Sequence, residues 1–232
     1  YDLTVRGIRE LQRASVDVSV LSVADPTANP REVLSHIADD LSVKSLDVLF
    51  PDATHDDPYR PIGDFYIELF DVWFDEYVGR GIRLRLFDVM INRLVGGARG
   101  SDVLGPKNAD SVTVHTDGEL DVTDVVNAIR GWSLTPGTNP NISQSIASLQ
   151  TTSRYLHLRA AADAVAADCT RCRVLRICGG GHLVSRWSSN AGFNNVSVYC
   201  QDIQRLADHV WHRLAPTLIL TDRPLNVTEE QA

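Results

Sequence analysis

The residues most able to do chemistry in this 232-residue chain are its four cysteines, which all lie in the last third of the sequence. They are Cys169, Cys172, Cys178 and Cys200, separated by two, five and twenty-one residues. Four thiolates can hold a tetrahedral zinc ion or a cubane iron–sulfur cluster, because both take soft sulfur ligands. Structural zinc usually takes two closely spaced pairs of ligands, and only the first pair here is closely spaced. The spacing alone leaves zinc and iron–sulfur both open.

Three consecutive glycines, Gly179 to Gly181, directly follow the third cysteine. Glycines at this position let the backbone approach a bulky cluster and present amide N–H groups to its sulfur atoms. The alternative is a flexible turn with no role at the site. The position beside Cys178 favours the first interpretation.

Composition and charge exclude several classes of partner. The chain is 44% hydrophobic and 22% charged, and its formal net charge is −8. An acidic chain with no long basic run is poorly suited to nucleic acid, whose binding depends on phosphate neutralisation. No stretch approaches about 18 consecutive apolar residues, and the first residues lack the apolar core of a signal peptide. We therefore predict a cytoplasmic protein that binds neither nucleic acid nor membrane, and in a reducing compartment clustered cysteines favour a metal over disulfides.

The fold that must position the cysteines starts with an α/β region. Helical and strand patterns alternate over the first hundred residues. Helices are predicted over 3–14, from Pro30 and over 62–80, and each is followed by a strand, over 16–24, from Ser45 and over 82–91. Three successive helix–strand units imply a parallel sheet with helices outside it. A complete eight-stranded barrel needs about 250 residues. The sheet is therefore predicted to be part of a barrel or a small doubly wound domain.

Two side-chain patterns on these elements invite a functional interpretation. The third helix carries an aromatic stripe, for which a core face is favoured over a peptide-binding surface. Its members are Phe65, Phe70, Trp73, Phe74 and Tyr77. Arg83 and Arg85 alternate in the predicted third strand and would point to one side of it, where a salt-bridged edge is favoured over a carboxylate-binding pair.

The later part of the chain is predicted to form a separate local fold. A Gly-rich connector over 96–110 is the best candidate boundary, and a β-hairpin is predicted around Asp117-Gly118. A helix over 153–167 leads to the first cysteine, and an amphipathic helix follows the last one. We divide the chain into residues 1–98, a connector and hairpin over 99–152, a cysteine-rich part over 153–220 and a tail over 221–232.

The cysteine segment resembles a known family. The stretch CTRCRVLRICGGG, followed by GFNNVSVYCQDIQRL from Gly192, resembles the C-terminal segment of the SPASM domain in radical S-adenosylmethionine (SAM) peptide maturases. Arg186-Trp187 matches an Arg-aromatic pair of that family, whereas Val196 stands where proline is usual. The resemblance implies that the four cysteines ligate the family's outer auxiliary 4Fe-4S cluster. It also implies a partial barrel followed by a small cysteine-rich α+β domain.

This sequence departs from the full SPASM pattern at the inner auxiliary cluster. That cluster needs further cysteines, one of which would stand at the position of His182. Others would lie around the hairpin, where the chain has Asp117, Asp121 and Asp124 but no cysteine. The departure implies that the inner cluster is absent. For His182, a hydrogen-bonding or exposed role is favoured over ligation.

The N-terminal part resembles the later portion of a radical SAM partial barrel, as in FxsB-type and cyclophane-forming maturases. The stretches that carry the resemblance are YDLTVRGIREL, the strand ending in SVAD, and LDVLFPDATHDDP. The CxxxCxxC motif that holds the SAM-binding cluster does not occur in this chain. We therefore expect the chain to be inactive alone, as the C-terminal part of a longer enzyme. A partner subunit or a degenerate relative are the alternatives.

The resemblance further implies an activity and a set of partners. The intact enzyme would abstract hydrogen from an unactivated side-chain carbon of a ribosomally made precursor peptide and form a crosslink or a similar modification. It would need SAM, a second 4Fe-4S cluster, a reductant protein and the remaining half of the barrel. The auxiliary cluster would accept an electron or brace the domain.

Candidate substrate and cofactor residues follow from the same resemblance, since the family places SAM and substrate at the carboxyl ends of the barrel strands. The matching positions are Ser22 and Asp25 after the first strand, and Asp52, His55 and Asp56 after the second. Ser22, Asp25 and Asp52 are candidates for cofactor binding, and Asp52 and His55 for catalysis. A polar turn with an aspartate cap explains PDATHDD equally well.

Two other classes of function stay open from the sequence. The first is a non-catalytic peptide-binding module in which the four cysteines hold a structural zinc ion. The second is a small α/β enzyme that uses the PDATHDD loop. Metal and sulfide analysis separates the zinc module from the iron–sulfur enzyme.

Overall fold

The computed structural model describes residues 1–98, 100–101, 103–105, 112–118, 120–121, 125–129 and 146–218. Within these ranges the strands are β1 (Ser19–Val23), β2 (Ser45–Leu49), β3 (Arg83–Leu84), β4 (Thr113–Val114) and β5 (Leu120–Asp121). The α-helices are α1 (Asp2–Arg13), α2 (Pro30–Ser35), α3 (Gly63–Val72), α4 (Arg85–Leu94), α5 (Ile146–Gln150), α6 (Ser153–Asp163), α7 (Leu175–Cys178) and α8 (Cys200–Leu214). Shorter 3-10 or π-helical turns cover His36–Asp40, Trp73–Tyr77, Val78–Arg80, Val125–Ala128, Ala167–Arg171, Val184–Arg186 and Ala215–Thr217.

The first three strands form a parallel sheet in the order β1-β2-β3. Ser19 pairs with Ser45, and Ser45 pairs in turn with Arg83. The segments that follow β1 and β2 therefore leave the sheet at the same edge, where parallel α/β folds usually place their ligands. The predicted α/β class with a parallel sheet is confirmed.

The start of α2 shows how local chemistry fixes these elements. The Asn29 side chain accepts hydrogen bonds from the backbone N–H groups of Arg31 and Glu32, at 2.9 and 3.3 Å. Pro30 occupies the first helical position, where its missing N–H costs nothing. The helix predicted to begin at Pro30 is confirmed.

The prediction of a third strand over 82–91 is wrong. Only Arg83 and Leu84 are in β3, and α4 begins at Arg85. The buried Asp47 carboxylate of β2 accepts a hydrogen bond from the Leu86 N–H at 3.1 Å and so satisfies one of the free donors at the start of α4. Apolar side chains at helical spacing then face the core. They are Leu86, Phe87, Val89 and Met90.

Arg83 and Arg85 therefore do not lie side by side on one strand, as the longer predicted strand would have required. Arg83 in β3 forms a salt bridge with Asp88, at 2.9 Å. Arg85, the first residue of α4, faces Asp47 at 3.6 Å. Each arginine has its own carboxylate within the fold, so the two do not form a carboxylate-binding pair on one strand face.

One hydrophobic core joins the sheet to the cysteine-rich region. The aromatic stripe on α3 and its π-helical extension is packed inside the protein, as predicted, with Phe70 and Trp73 fully or almost fully buried. Ile203, Leu206 and Val210 of α8 belong to the same core. The helix that begins at the last cysteine therefore packs on the helix that carries the aromatic stripe.

A smaller apolar cluster lies beside this core and includes Leu120, Leu158 and Phe193. The predicted hairpin is present, since Thr113 pairs antiparallel with Asp121. The predicted helix over 153–167 ends at Asp163. Asp124, the connector residues 106–110 and the tail over 221–232 lie outside the described residues. Among the helices that the structure describes, none has the length and apolar character needed to cross a bilayer.

We predict that the folded protein becomes less stable above pH 10. Burial raises the pKa of Tyr66 well above its ordinary value of 10.0, and its hydroxyl donates to the Val48 carbonyl at 3.1 Å. Above pH 10 the unfolded chain loses this proton while the folded chain keeps it, so stability falls as pH rises. Denaturant unfolding at several alkaline pH values measures the slope. Tyr66→Phe should give a shallower slope, and an unchanged slope would contradict the assignment.

Candidate functional site

The structure brings the four predicted cysteine ligands together around one small pocket. Cys169 lies in the turn Ala167–Arg171, and Cys172 follows that turn directly. Cys178 is the last residue of α7, and Cys200 is the first residue of α8. All four thiols are free of disulfide bonds. Two distant segments of chain thus supply a common set of sulfur atoms.

Burial raises the pKa of two of these thiols, Cys178 and Cys169. Burial, with a smaller contribution from the neighbouring thiols, raises the pKa of Cys178 to about 12. It also raises the pKa of Cys169, again with the charges of Cys200 and Cys172 acting in the same direction. A reactive nucleophilic cysteine needs a lowered pKa, so this environment does not suit nucleophilic catalysis. A bound metal or cluster supplies the positive charge that lets four adjacent thiols ionise together.

Two of the thiols, those of Cys178 and Cys200, accept hydrogen bonds from polar donors. The Gly180 N–H donates to the Cys178 sulfur and lowers its pKa, against the larger effect of burial. The Gln204 side-chain N–H donates to the Cys200 sulfur at 3.2 Å. Donors of this kind stabilise negative charge on sulfur ligands. The three glycines all have positive φ, between 64° and 93°. This turn therefore has a defined left-handed conformation, as the site interpretation requires.

His182 lies toward the sheet and is not among the residues that line the thiol pocket. Its Nδ1 atom is 3.6 Å from a carboxylate oxygen of Asp52. Within the described ranges, no group of three or more His, Cys, Asp or Glu side chains is placed to hold a single metal ion. The structure thus places His182 opposite Asp52, beyond the triglycine turn.

The loop 51–57, which follows β2, packs against the cysteine-rich region. The His55 N–H donates to the Trp187 carbonyl, and its ring Nε2 lies 2.8 Å from the Val196 carbonyl oxygen. The Asp56 carboxylate accepts hydrogen bonds from the N–H and hydroxyl of Ser189. The loop 51–57 therefore holds the two regions together.

The same loop forms a polar turn, which the sequence analysis gave as the alternative to a substrate- or cofactor-binding role for PDATHDD. The Asp57 carboxylate accepts from the Thr54 N–H at 2.9 Å and from its hydroxyl at 2.8 Å. Catalytic roles for Asp52 and His55 stay predictions, and His55 has the docking role in addition.

Ser22 and Asp25 lie where the sequence placed them, at the carboxyl half of β1 and just after it. Ser22 is half-buried and pairs with Val48 of β2. Asp25 accepts hydrogen bonds from the N–H and hydroxyl of Thr27, which hold the pKa of its carboxyl below the ordinary value. Their cofactor-binding role stays a prediction. Asp25 and Asp52 follow the adjacent strands β1 and β2, so both lie at the carboxyl end of the parallel strands.

Two arginines near the thiols were not predicted as site residues. Arg93 of α4 and Arg186 are both buried, and each interacts electrostatically with one thiol, Cys178 and Cys169 respectively. For Arg186 a signal existed, because it belongs to the Arg-aromatic pair of the resemblance. Arg93 has no such signal, since a single arginine near the end of an amphipathic helix is usually exposed.

Comparison with known proteins supports the fold. No family model matches the chain, and no curated protein matches it. Hexahistidine-tagged anSMEcpe with bound AdoMet matches with a TM-score of 0.73 and 19% identity, over 91% of this chain and 57% of that chain. Native anSMEcpe with bound AdoMet matches with a TM-score of 0.71 and 19% identity, over 91% of this chain and 59% of that one.

A third match is native anSMEcpe with bound AdoMet and Cp18Cys peptide, with a TM-score of 0.71, 19% identity and coverage of 91% of this chain and 60% of that chain. The protein anSMEcpe is an anaerobic sulfatase-maturating enzyme, a radical SAM enzyme with a SPASM domain. This chain spans less than two thirds of the length of these chains. At this level of identity the likeness establishes a shared fold. The chain has the fold of the matched part of anSMEcpe.

Proposed function

We propose that this chain is the C-terminal part of a radical SAM enzyme that modifies side chains of a ribosomally made precursor peptide. Two features of the matched structures support this function. They contain bound AdoMet, and one of them also contains a bound peptide. The sequence resemblance to SPASM-domain peptide maturases points to the same class. Crosslinking is the modification that the FxsB-type and cyclophane-forming relatives suggest.

The observation that carries the proposal is the pocket lined by all four cysteines. In our proposal Cys169, Cys172, Cys178 and Cys200 hold one auxiliary 4Fe-4S cluster. The buried thiols, the Gly180 and Gln204 donors and the triglycine turn fit an anionic sulfur-rich group. Such a cluster supplies one-electron chemistry when it is bound.

In this proposal the chain's own residues shield and orient the auxiliary site. The buried Cys178 and Val174 exclude water from one side of the pocket, and α8 fixes Cys200 against the core. Ser22, Asp25 and Asp52 would face SAM and the peptide at the carboxyl edge of the sheet.

The SAM-binding cluster is assigned to another part of the enzyme. In our proposal all four cysteines of this chain hold the auxiliary cluster, so a CxxxCxxC motif would come from the rest of a longer polypeptide or from a partner subunit. The sheet offers a surface for further barrel strands, because β1 is an edge strand and the Leu21 and Val23 side chains are 68% and 60% exposed. A reductant protein would supply electrons. A reducing, cytoplasmic location suits both clusters.

Anaerobic purification and reconstitution of the chain test the proposal directly. We expect iron and sulfide in the proportions of one 4Fe-4S cluster, with the broad visible absorbance of sulfur-to-iron charge transfer. One zinc ion per chain without sulfide would contradict the proposal and favour the zinc-containing peptide-binding module.

The peptide-modifying activity needs the intact enzyme. Incubation with SAM, a reductant and the precursor peptide should lower the peptide mass by the hydrogen lost on crosslinking. An unmodified peptide, with both clusters loaded and SAM cleaved, would contradict the crosslinking assignment.

A further inference from the structure

Arg186 is a cation buried inside the cysteine-rich region. Its side chain is among the largest fully buried ones in the described part of the protein, and the residue is 1% exposed. Its guanidinium donates to the carbonyls of Ala161, at 3.1 Å, and Phe193, at 2.9 Å. Carbonyl oxygens satisfy hydrogen bonds but do not neutralise a full charge.

The guanidinium also has an unused donor. Its Nε atom is buried and has no hydrogen-bond acceptor among the described residues. No carboxylate of the described ranges pairs with this arginine, whereas the Cys169 thiol is the group whose charge acts on it. A buried cation without an opposite charge is strongly unfavourable, because desolvation is not compensated. An anion near Arg186 would offset this cost. Ser185, the residue before Arg186, contacts the Ser197 hydroxyl of the thiol-pocket lining at 2.8 Å, so a cluster in that pocket would supply such an anion.

A second buried arginine, on α4, lies close to the cysteine-rich region. Arg93 of α4 is 8% exposed and donates to the carbonyls of Leu104 and Ile177, the residue before Cys178. The Cys178 charge acts on it in the same way. Arg173 offers a contrast, because it interacts with Cys172 but is exposed and forms a salt bridge with Asp208.

We infer that Arg186 is the buried counter-charge of the cluster held by the four thiolates and that it raises the reduction potential of that cluster. This inference rests on the proposed function. Four thiolates around an iron–sulfur core leave the assembly anionic, and reduction adds one more negative charge. A fixed positive charge in a low-dielectric site stabilises the reduced form more than the oxidised form. Arg186 is thus a positioning and electrostatic residue that need not touch the substrate.

The test compares four forms of the anaerobically reconstituted protein: wild type, Arg186→Gln, Arg186→Lys and Arg173→Gln. Gln keeps polar donors toward the two carbonyls but removes the charge, and Lys keeps the charge. The measurement is a dye-mediated redox titration followed by electron paramagnetic resonance, after iron and sulfide have been quantified in each form.

We expect Arg186→Gln to lower the ratio of reduced to oxidised cluster at a fixed potential at least about tenfold, which is about 59 mV for a one-electron couple. Arg186→Lys should stay close to wild type. Arg173→Gln should also stay close to wild type, because Arg173 is 63% exposed and water screens its charge.

Several outcomes would overturn the inference. A wild-type potential in Arg186→Gln with full iron and sulfide rejects it and leaves the proposed function standing. Equal shifts in the Gln and Lys variants assign the effect to packing and also reject it. If Arg186→Gln does not load the cluster, retention by Arg186→Lys supports the counter-charge, and failure of both rejects it. One zinc without sulfide in the wild type rejects the proposed function and the inference together.

Discussion

Replacing Cys178 by alanine is expected to remove iron and sulfide from the reconstituted protein almost completely. Cys178 is 9% exposed and lines the pocket together with the three other thiols. Alanine offers no ligand, and no further cysteine exists in the chain to replace it. In the proposed site, cluster binding would stabilise the folded state, because the four ligands are assembled only there. The free energy of unfolding should therefore also fall, by about 4 kcal/mol or more.

The measurement combines iron and sulfide analysis with denaturant unfolding under anaerobic conditions. Thr170→Ala is a matched control, because Thr170 lies between Cys169 and Cys172 and is exposed. Its hydroxyl donates to the Ala167 carbonyl within the same turn, and its loss should leave cluster content unchanged. Wild-type iron and sulfide in Cys178→Ala would show that this thiol is not a ligand.

Replacing Gly179 by alanine is expected to cause the second large effect, through backbone geometry. A Cβ atom at Gly179 would lie 2.7 Å from the Leu104 carbonyl oxygen and 2.8 Å from the Gly105 Cα. The residue also has a φ of 64°, which L-residues other than glycine rarely adopt. The contact and the backbone strain together should lower the free energy of unfolding by about 3 kcal/mol. Because Gly179 follows Cys178 directly, cluster content should fall as well.

Gly79→Ala is the control for this prediction. A Cβ atom at Gly79 meets nothing within 4 Å, and the residue lies in the short turn Val78–Arg80. Alanine there should change the free energy of unfolding by less than about 1 kcal/mol, in the stabilising direction. Urea unfolding of both variants gives the comparison. Equal stabilities in the two variants would contradict the close approach of Gly105 and Gly179.

Most of the fold in the first half of the chain could be predicted from local patterns. The Asn29 cap, Pro30 and the β-branched strands act through neighbouring residues, so their signals are readable in the sequence. The start of α4 at Arg85 could not be predicted from neighbouring residues. It depends on Asp47, which lies thirty-nine residues before Leu86 in the sequence and meets it only after β2 and β3 have paired.

The same distinction applies to the site. The cysteine spacing and the triglycine turn predicted which residues share a pocket, because ligand sets leave a pattern of residue types. The docking of His55 on the Trp187 and Val196 carbonyls uses backbone acceptors, which have no signature in a sequence. The burial of Arg93 could not be predicted either, since it depends on the carbonyls of Leu104 and Ile177 approaching α4 in the folded chain.

Contacts made by α8 join the cysteine pocket to the core of the parallel sheet. This helix starts at Cys200, and its buried residues pack in the core that also contains α3 and β2. The Asp202 carboxylate, in the first turn of the helix, accepts hydrogen bonds from the Gly63 N–H at 3.0 Å and the Tyr59 hydroxyl at 2.7 Å. The connector separates the chain in sequence, but the two regions share these contacts. We therefore expect the two regions to unfold cooperatively, so that a group bound in the cysteine pocket would also stabilise the sheet.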